Sequence, residues 1–195
     1  TMGSYKGKYY GLPIGVDPVM GIFYNKSMVK TANQPDPWTY VEKNQWNFDT
    51  FKKFAKALTL DKDGDGIPEQ FGFVSEEPFA QFILANNGQV IDLSGNSGAS
   101  YKGDSAQAKA AVEYVLSLYK EKIIPTADEI VSQNLGSDFL ALANKKCAMF
   151  PYGTAYAPYL IDKCGFKSSN LGWIYFPTAD NFPFTVANVP LEVKA

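Results

Sequence analysis

Gly7-Lys8-Tyr9-Tyr10-Gly11-Leu12-Pro13-Ile14-Gly15-Val16-Asp17-Pro18-Val19-Met20-Gly21-Ile22-Phe23-Tyr24-Asn25-Lys26 is the stretch whose reading decides the fold. Lys8 to Leu12 is aromatic and extended in pattern. Pro13 fixes its own φ and biases Leu12 away from helix. Gly15, Asp17 and Pro18 supply turn chemistry. Val19 to Tyr24 is a nearly continuous apolar run, too short for a helix and bounded by turn signals. Such a run suits a strand buried on both faces. Two extended runs joined through a short irregular break describe a chain crossing between two lobes. The stretch reads as a hinge crossing, and the rest of the chain as the lobe it enters.

Working outward, Asn25 to Lys30 is a short amphipathic segment broken by Pro35, Asp36, Pro37 and Trp38. Asn47 is a fair N-cap with Asp49 in the following turn, and Phe51, Phe54, Ala55 and Leu58 make one apolar stripe at helical spacing. Phe71 to Val74 reads as a strand. Ser75 to Asn87 reads as a helix with Phe79, Phe82 and Ile83 inward and a left-handed stop at Asn87-Gly88. Asp104-Ser105 caps the longest helix, whose stripe is Ala108, Ala111, Val112, Val115, Leu118 and Tyr119. Asp128 to Ala143 is helical in two pieces broken at Gly136, the second capped by Ser137-Asp138. Cys147 to Phe150 is a strand and Thr154 begins a helix to about Lys163. Gly172 to Pro177 is the final strong strand, with Trp173 to Pro177 the expected place of return across the hinge. Strands alternate with helices, so the lobe is α/β.

Composition narrows the function. The chain has 195 residues and a net charge of −2, with 46% hydrophobic residues, enough for one sizeable core and too little charge to imply a polyanion partner. All its cations are lysines. Without arginine the bidentate fork for phosphates and base edges is missing, which argues against nucleic acid. Histidine is absent too, which removes His-based triads and His-ligated zinc. Aromatics are 15% of the chain, with 12 tyrosines, the composition of a recognition surface. Sugar rings stack on aromatic faces, so carbohydrate is a candidate ligand. No apolar run approaches the roughly 20 residues that span a bilayer. The first residues lack the order of a targeting segment and the last look like an uncapped strand, so the chain is expected to be part of something longer.

Three places carry candidate chemistry. Asp61, Asp63 and Asp65 occupy positions 1, 3 and 5 of a calcium-loop pattern, with Gly66 at the sharp turn, the Ile67 carbonyl at 7 and Glu69 at 9. Position 12 is Gly72 rather than a bidentate Glu, so weak Ca²⁺ binding is expected, on the order of 10⁻⁴ to 10⁻³ M. An Asp/Gly turn without an ion is the competing reading. Cys147 and Cys164 frame a strand-turn-helix unit, so a disulfide stabilising by roughly 3 kcal/mol is the expectation, set against two inert thiols. A bridge would fit an oxidising compartment. Tyr152, Gly153 and Tyr156 lie where a strand's carboxyl end meets a helix, the place where open α/β sheets bind ligands. Phe79 and Gln81, at the start of another helix, are a second such pair. Asp17, in the crossing, is placed to accept hydroxyl protons or simply to cap a turn. A carboxylate pair for glycoside hydrolysis is the one enzymatic option left, and no pair stands out.

Read together, these segments resemble a known family. Gly7 to Pro13, then Phe23-Tyr24-Asn25-Lys26-Ser27-Met28-Val29, is similar to the "GKxYGlP…lyYNKdlf" run of the family 1 extracellular solute-binding proteins, receptors of bacterial ABC importers. Trp46 to Phe51 leading into Ala55 to Thr59, Asp61 to Gly66 before Phe71-Gly72-Phe73, Asn87-Gly88-Gln89, and Ala148-Met149 followed by Gly153 resemble further segments in the same order. The resemblance implies one lobe of a type II periplasmic-binding-protein fold, a mixed sheet flanked by helices. Residues 1–17 would be a first-lobe remnant and the hinge crossing, 18–176 the second lobe and 177–195 the return. It implies a receptor that binds a small solute, a sugar or oligosaccharide, between lobes and delivers it to an ABC permease. The protein would be extracytoplasmic, periplasmic or a cell-surface lipoprotein, touching membrane only through an anchor outside this chain. No cofactor is required beyond the weak Ca²⁺. The family often places a sugar-stacking Trp two residues after the glycine. This chain has Ala155 there, with Tyr156 as the candidate substitute. A secreted carbohydrate-active enzyme and a calcium-stabilised structural module are the alternatives.

Overall fold

The computed structural model describes residues 4–5, 8–13, 17–92, 98–135, 138–179, 186–188 and 191–193. The Ile14-Gly15-Val16 joint and the Ser137 cap lie outside them. In chain order the elements are β1 (Ser4–Tyr5), β2 (Lys8–Tyr9), β3 (Gly11–Pro13), β4 (Asp17–Asn25), α1 (Lys26–Thr31), α2 (Trp38–Glu42), α3 (Phe48–Ala57), α4 (Pro78–Ala85), β5 (Ile91–Asp92) and β6 (Ser100–Tyr101). There follow α5 (Ala106–Lys120), α6 (Ala127–Ser132), α7 (Asp138–Ala143), β7 (Met149–Gly153), a 3₁₀ turn (Thr154–Tyr156), α8 (Ala157–Asp162), β8 (Leu171–Ile174), β9 (Val186–Asn188) and β10 (Leu191–Val193).

The apolar run Val19 to Tyr24 lies in β4, the strand on which the sheet is built. β7 pairs with it antiparallel on one side, and β8 and then β9 pair antiparallel on the other. Because strand side chains alternate, Ile22 and Tyr24 enter one core and Phe23 the other, and all three are buried. This is why the sequence shows a continuous apolar run there. Phe71 to Val74 flanks β7 on its far side and runs parallel to the Cys147 segment. Phe71 N–H donates to the Lys146 carbonyl at 2.9 Å, and Val74 N–H donates to the Met149 carbonyl at 3.0 Å. The sheet is therefore mixed, with helices over its faces.

Over the Ile22 face lie α3, α4 and α5. Asn47 caps α3, its side chain accepting from Thr50 N–H at 2.9 Å, and Phe51, Phe54, Ala55 and Leu58 are all buried. Ser105 caps α5 and buries Ala108, Ala111, Val115 and Leu118. Pro78 opens α4, and Asn87, at a φ of 54°, is in the left-handed conformation just beyond its end. The expected inner position of Phe79 is corrected. Its ring is on the surface beside Tyr119, while Phe82 and Ile83 alone of the three face the core. The Pro35–Trp38 break holds a helix the apolar pattern did not announce. Pro37 precedes α2, and Asp36 accepts from Trp38 N–H at 3.1 Å.

The start of the segment expected to return, Trp173 and Ile174, lies within the β4 sheet, where Trp173 pairs with Phe23. It is β9 that pairs alongside the start of β4, and β10 that pairs with β3. The outgoing and returning passes of the chain therefore run beside one another, both antiparallel.

Candidate functional site

Topology decides which residues share an edge of the sheet. Phe71 to Val74 and β7 run parallel, and β4 runs against both. The carboxyl end of β7 therefore lies where β4 begins, with Met20 opposite Gly153 and Gly21 opposite Tyr152, whereas Phe71 to Val74 ends level with Met149. β8, also antiparallel to β4, ends at this edge, Ile174 opposite Ile22 and Tyr175 beyond it. Ser75, Glu77 and Phe79 follow Val74 into the start of α4, where the Phe79 ring packs beside Tyr119. Of the expected ligand residues, Tyr152, Gly153 and Tyr156 thus share one end of the sheet.

Tyr152 and Tyr156 form an edge-to-face pair, ring centroids 4.1 Å apart at 66°. Tyr159, which sequence reasoning passed over, continues the row at 6.3 Å from Tyr156. Its signal was helical spacing, since residues three apart share a helix face. Tyr156 and Tyr159 are 40% and 43% exposed. Leu160 beside them is fully buried and anchors α8, which Pro158 helps to start.

Gly153 is the most informative member. Its backbone, φ −71° and ψ 143°, is an ordinary extended conformation open to any residue. A Cβ built on it meets nothing within 4 Å. Neither conformation nor packing explains a glycine here. Gly21 contrasts with it, since its missing Cβ is replaced by the Trp173 ring and by the Ile174 carbonyl at 2.5 Å. Trp173 is held from behind, where Trp38 Nε1–H donates to its carbonyl at 2.8 Å and Trp46 Nε1–H donates to the Tyr175 carbonyl at 2.9 Å.

Other expected residues have different surroundings. Gln81 is engaged locally, its Oε1 accepting from Ser75 Oγ at 2.8 Å. Asp17 pairs with Asn188 through the sheet, and its side chain lies outside the described residues. Cys147 and Cys164 are not bridged in the structure, which corrects that expectation. Cys147 is fully buried just before β7, whereas Cys164 is half-buried in the turn beyond α8.

The aspartate loop sits at the opposite end of the sheet. The Leu60–Gln70 bridge pinches its neck. Asp61, Asp63 and Asp65 bring carboxylate oxygens within 4.8 Å of one another, all exposed. Asp61 accepts from Gly64 and Gly66 N–H, and Asp65 accepts from Ile67 N–H. Glu69 folds back to accept from Lys62 N–H at 2.7 Å. The three aspartates suit a hard cation. Gly72 cannot be replaced by a bidentate Glu, because its Cβ position is occupied by the Ala55 backbone. Two cavities flank α1 at this same far end, of about 570 and 370 Å³.

The chain matches the family of bacterial extracellular solute-binding proteins over residues 1–190, and it belongs to that family. Among solved structures it is similar to a sugar transporter from Rhizobium etli in an open conformation (24% identity, TM-score 0.71, 96% of this chain and 45% of that one). It is similar to the maltose/maltodextrin-binding domain MalE of Bdellovibrio bacteriovorus bound to maltotriose (20%, TM-score 0.67, 95% and 44%). A third is an ABC transporter solute-binding protein of Thermotoga lettingae bound with α-D-tagatose (18%, TM-score 0.70, 98% and 47%). At these identities the likeness is one of fold. The chain spans a little under half the length of these proteins. No curated protein matches it. Among the described residues no helix is long and apolar enough to cross a membrane.

Proposed function

We propose that this chain is the second lobe of the solute receptor of an ABC importer, and that it binds a carbohydrate at the Tyr152–Gly153–Tyr156 edge. Residues 18–176 are the lobe. Residues 1–17 and 177–195 are the two crossing segments. The observation that carries the reading is Gly153, a glycine that the fold does not require, set among exposed tyrosine rings. Its bare Cα lets a ligand lie against the backbone while the rings cover the apolar face of a sugar. Phe79, an exposed ring in the first turn of α4, is a second candidate contact.

The mechanism is non-covalent. Solute enters between lobes, hinge closure buries it, and an ABC permease reads the closed form. No catalytic residue is assigned. Family membership supports an extracytoplasmic location and a binding role rather than an enzymatic one. The maltotriose and tagatose partners named for the similar structures support a sugar as the solute. A calcium ion at Asp61, Asp63 and Asp65 would be structural, since that loop lies at the other end of the sheet.

The test uses the protein encoded by the complete reading frame, screened for binding and for turnover against mono- and oligosaccharides. Saturable binding without turnover is expected. Hydrolysis without added factors would overturn the reading in favour of a carbohydrate-active enzyme.

A further inference from the structure

We infer that residues 36–47 form a strap that closes the outer edge of β8, and that opening the strap exposes this edge to strand addition by a second copy of the chain. Among the described strands β8 pairs with β4 alone, so its other edge is the end of the sheet. An unpaired strand edge is a template for another strand. Residues two apart in a strand aim their carbonyls at the same edge. Trp173 in β8 and Tyr175 just beyond it are such a pair. Their carbonyls accept from two indole N–H groups, Trp38 Nε1–H at 2.8 Å and Trp46 Nε1–H at 2.9 Å. β4 occupies the opposite edge, so the two indoles stand where the donors of an added strand would stand. Three residues further on, Asn47 bridges Thr178 in parallel and closes the run.

The strap is fastened at both ends. Tyr24 of β4 lies opposite Gly172 and donates its hydroxyl to the Asp36 carboxylate, at 2.9 and 3.0 Å from the two oxygens. A Cβ on Gly172 would overlap the Tyr24 ring, so the glycine is what lets β4 reach the strap across β8. Asp36 in turn accepts from Trp38 N–H at 3.1 Å, and the Trp38 ring meets the Tyr175 ring edge-to-face at 5.4 Å. At the other end Trp46 is buried edge-to-face against Phe51 and Phe54 of α3, and Asn47 caps that helix. A further strand would satisfy the same carbonyls but would present a new edge of its own. Side-chain donors satisfy them and end the sheet.

The experiment is sedimentation velocity of the complete protein and of its Trp38→Phe/Trp46→Phe variant at about 10 to 200 µM. Phenylalanine keeps an apolar ring at each position and removes both donors. The expected result is a variant that self-associates roughly tenfold more tightly than wild type. Hydrogen exchange in residues 171–177 of the variant is expected to slow as its concentration rises, because the added strand protects that edge. Leu118→Ala removes a core side chain of α5 without touching the strap, and is expected to associate no more than wild type. If circular dichroism shows the double variant unfolded, Trp38→Phe alone carries the same readout, since Trp38 is only half-buried. A folded strap variant that associates no more than wild type would overturn the inference. So would association without protection of residues 171–177, or equal association by Leu118→Ala.

Discussion

Two glycines show how much a single position can say. Gly72 is required by packing, since a Cβ there would run into the Ala55 carbonyl. Gly153 is required by nothing in the fold. Gly72→Ala is therefore expected to destabilise by about 1–3 kcal/mol, the usual cost of forcing atoms into a packed site. Gly153→Val is expected to leave the melting temperature unchanged or slightly raised, because the substitution restricts the unfolded chain. Thermal denaturation of both variants separates the two roles. The sequence marked Gly153 as a ligand candidate at a strand's end and Gly72 as the twelfth loop position, and what faces each Cα was visible only in the structure. At the aspartate loop the sequence was sharper, since three carboxylates at alternate positions around Gly66 predicted the cluster that the loop forms. With a Kd near 10⁻³ M, 10 mM Ca²⁺ is expected to stabilise by about 1.4 kcal/mol, read as a rise in melting temperature that Asp63→Asn abolishes.

Among the elements, helices with strong caps and stripes were legible and surface-anchored ones were not. Asn47, Phe51, Phe54 and Leu58 announced α3 because its stripe is buried along its length. α2 was missed because its anchors are the Trp38 bond to the distant Trp173 carbonyl and an Asp36 turn before it, which leave no periodic trace. Phe79 misled because an apolar residue at helical spacing reads as core whether or not it faces one. α3 and α5 are also tied by charge. Glu121 lies 2.6 Å from Lys52 and 2.8 Å from Lys56. Hydrogen bonding from Lys52, then Lys56, lowers its carboxyl to about 2. A carboxylate with a depressed folded value contributes stability that is present above its unfolded value of about 4.3 and is lost as pH falls toward 2. The site is partly exposed and solvent-screened, so the contribution is about 0.5–1 kcal/mol. Denaturant titrations at pH 6 and pH 2.5 should show Glu121→Gln and wild type converging at the lower pH. A gap of equal size at both would contradict the assignment. Asn47→Ala is expected to cost about 1 kcal/mol, and Phe51→Ala about 3–5.

At the scale of the molecule, the opening stretch was read as two extended runs around a break; the first is split into β2 and β3, which pair with β1 and β10, and the second lies in β4. What it lacked was their partners. The strands that pair there are β9 and β10, and Trp173 turned out to be spent on filling Gly21. Long-range pairing of this kind is decided by register, which no local pattern carries. In the proposed receptor the paired passes would bend and the ring-lined edge beside them would hold the solute. The aspartate loop and the two cavities beside α1 stand at the other end of the sheet. The measurement that bears most directly on this account is titration of the complete protein and its Gly153→Val variant with the sugar that wild type binds. The account predicts saturable binding by wild type, and loss of at least tenfold in affinity by a variant with an unchanged melting temperature. Equal affinity in the two proteins would contradict it.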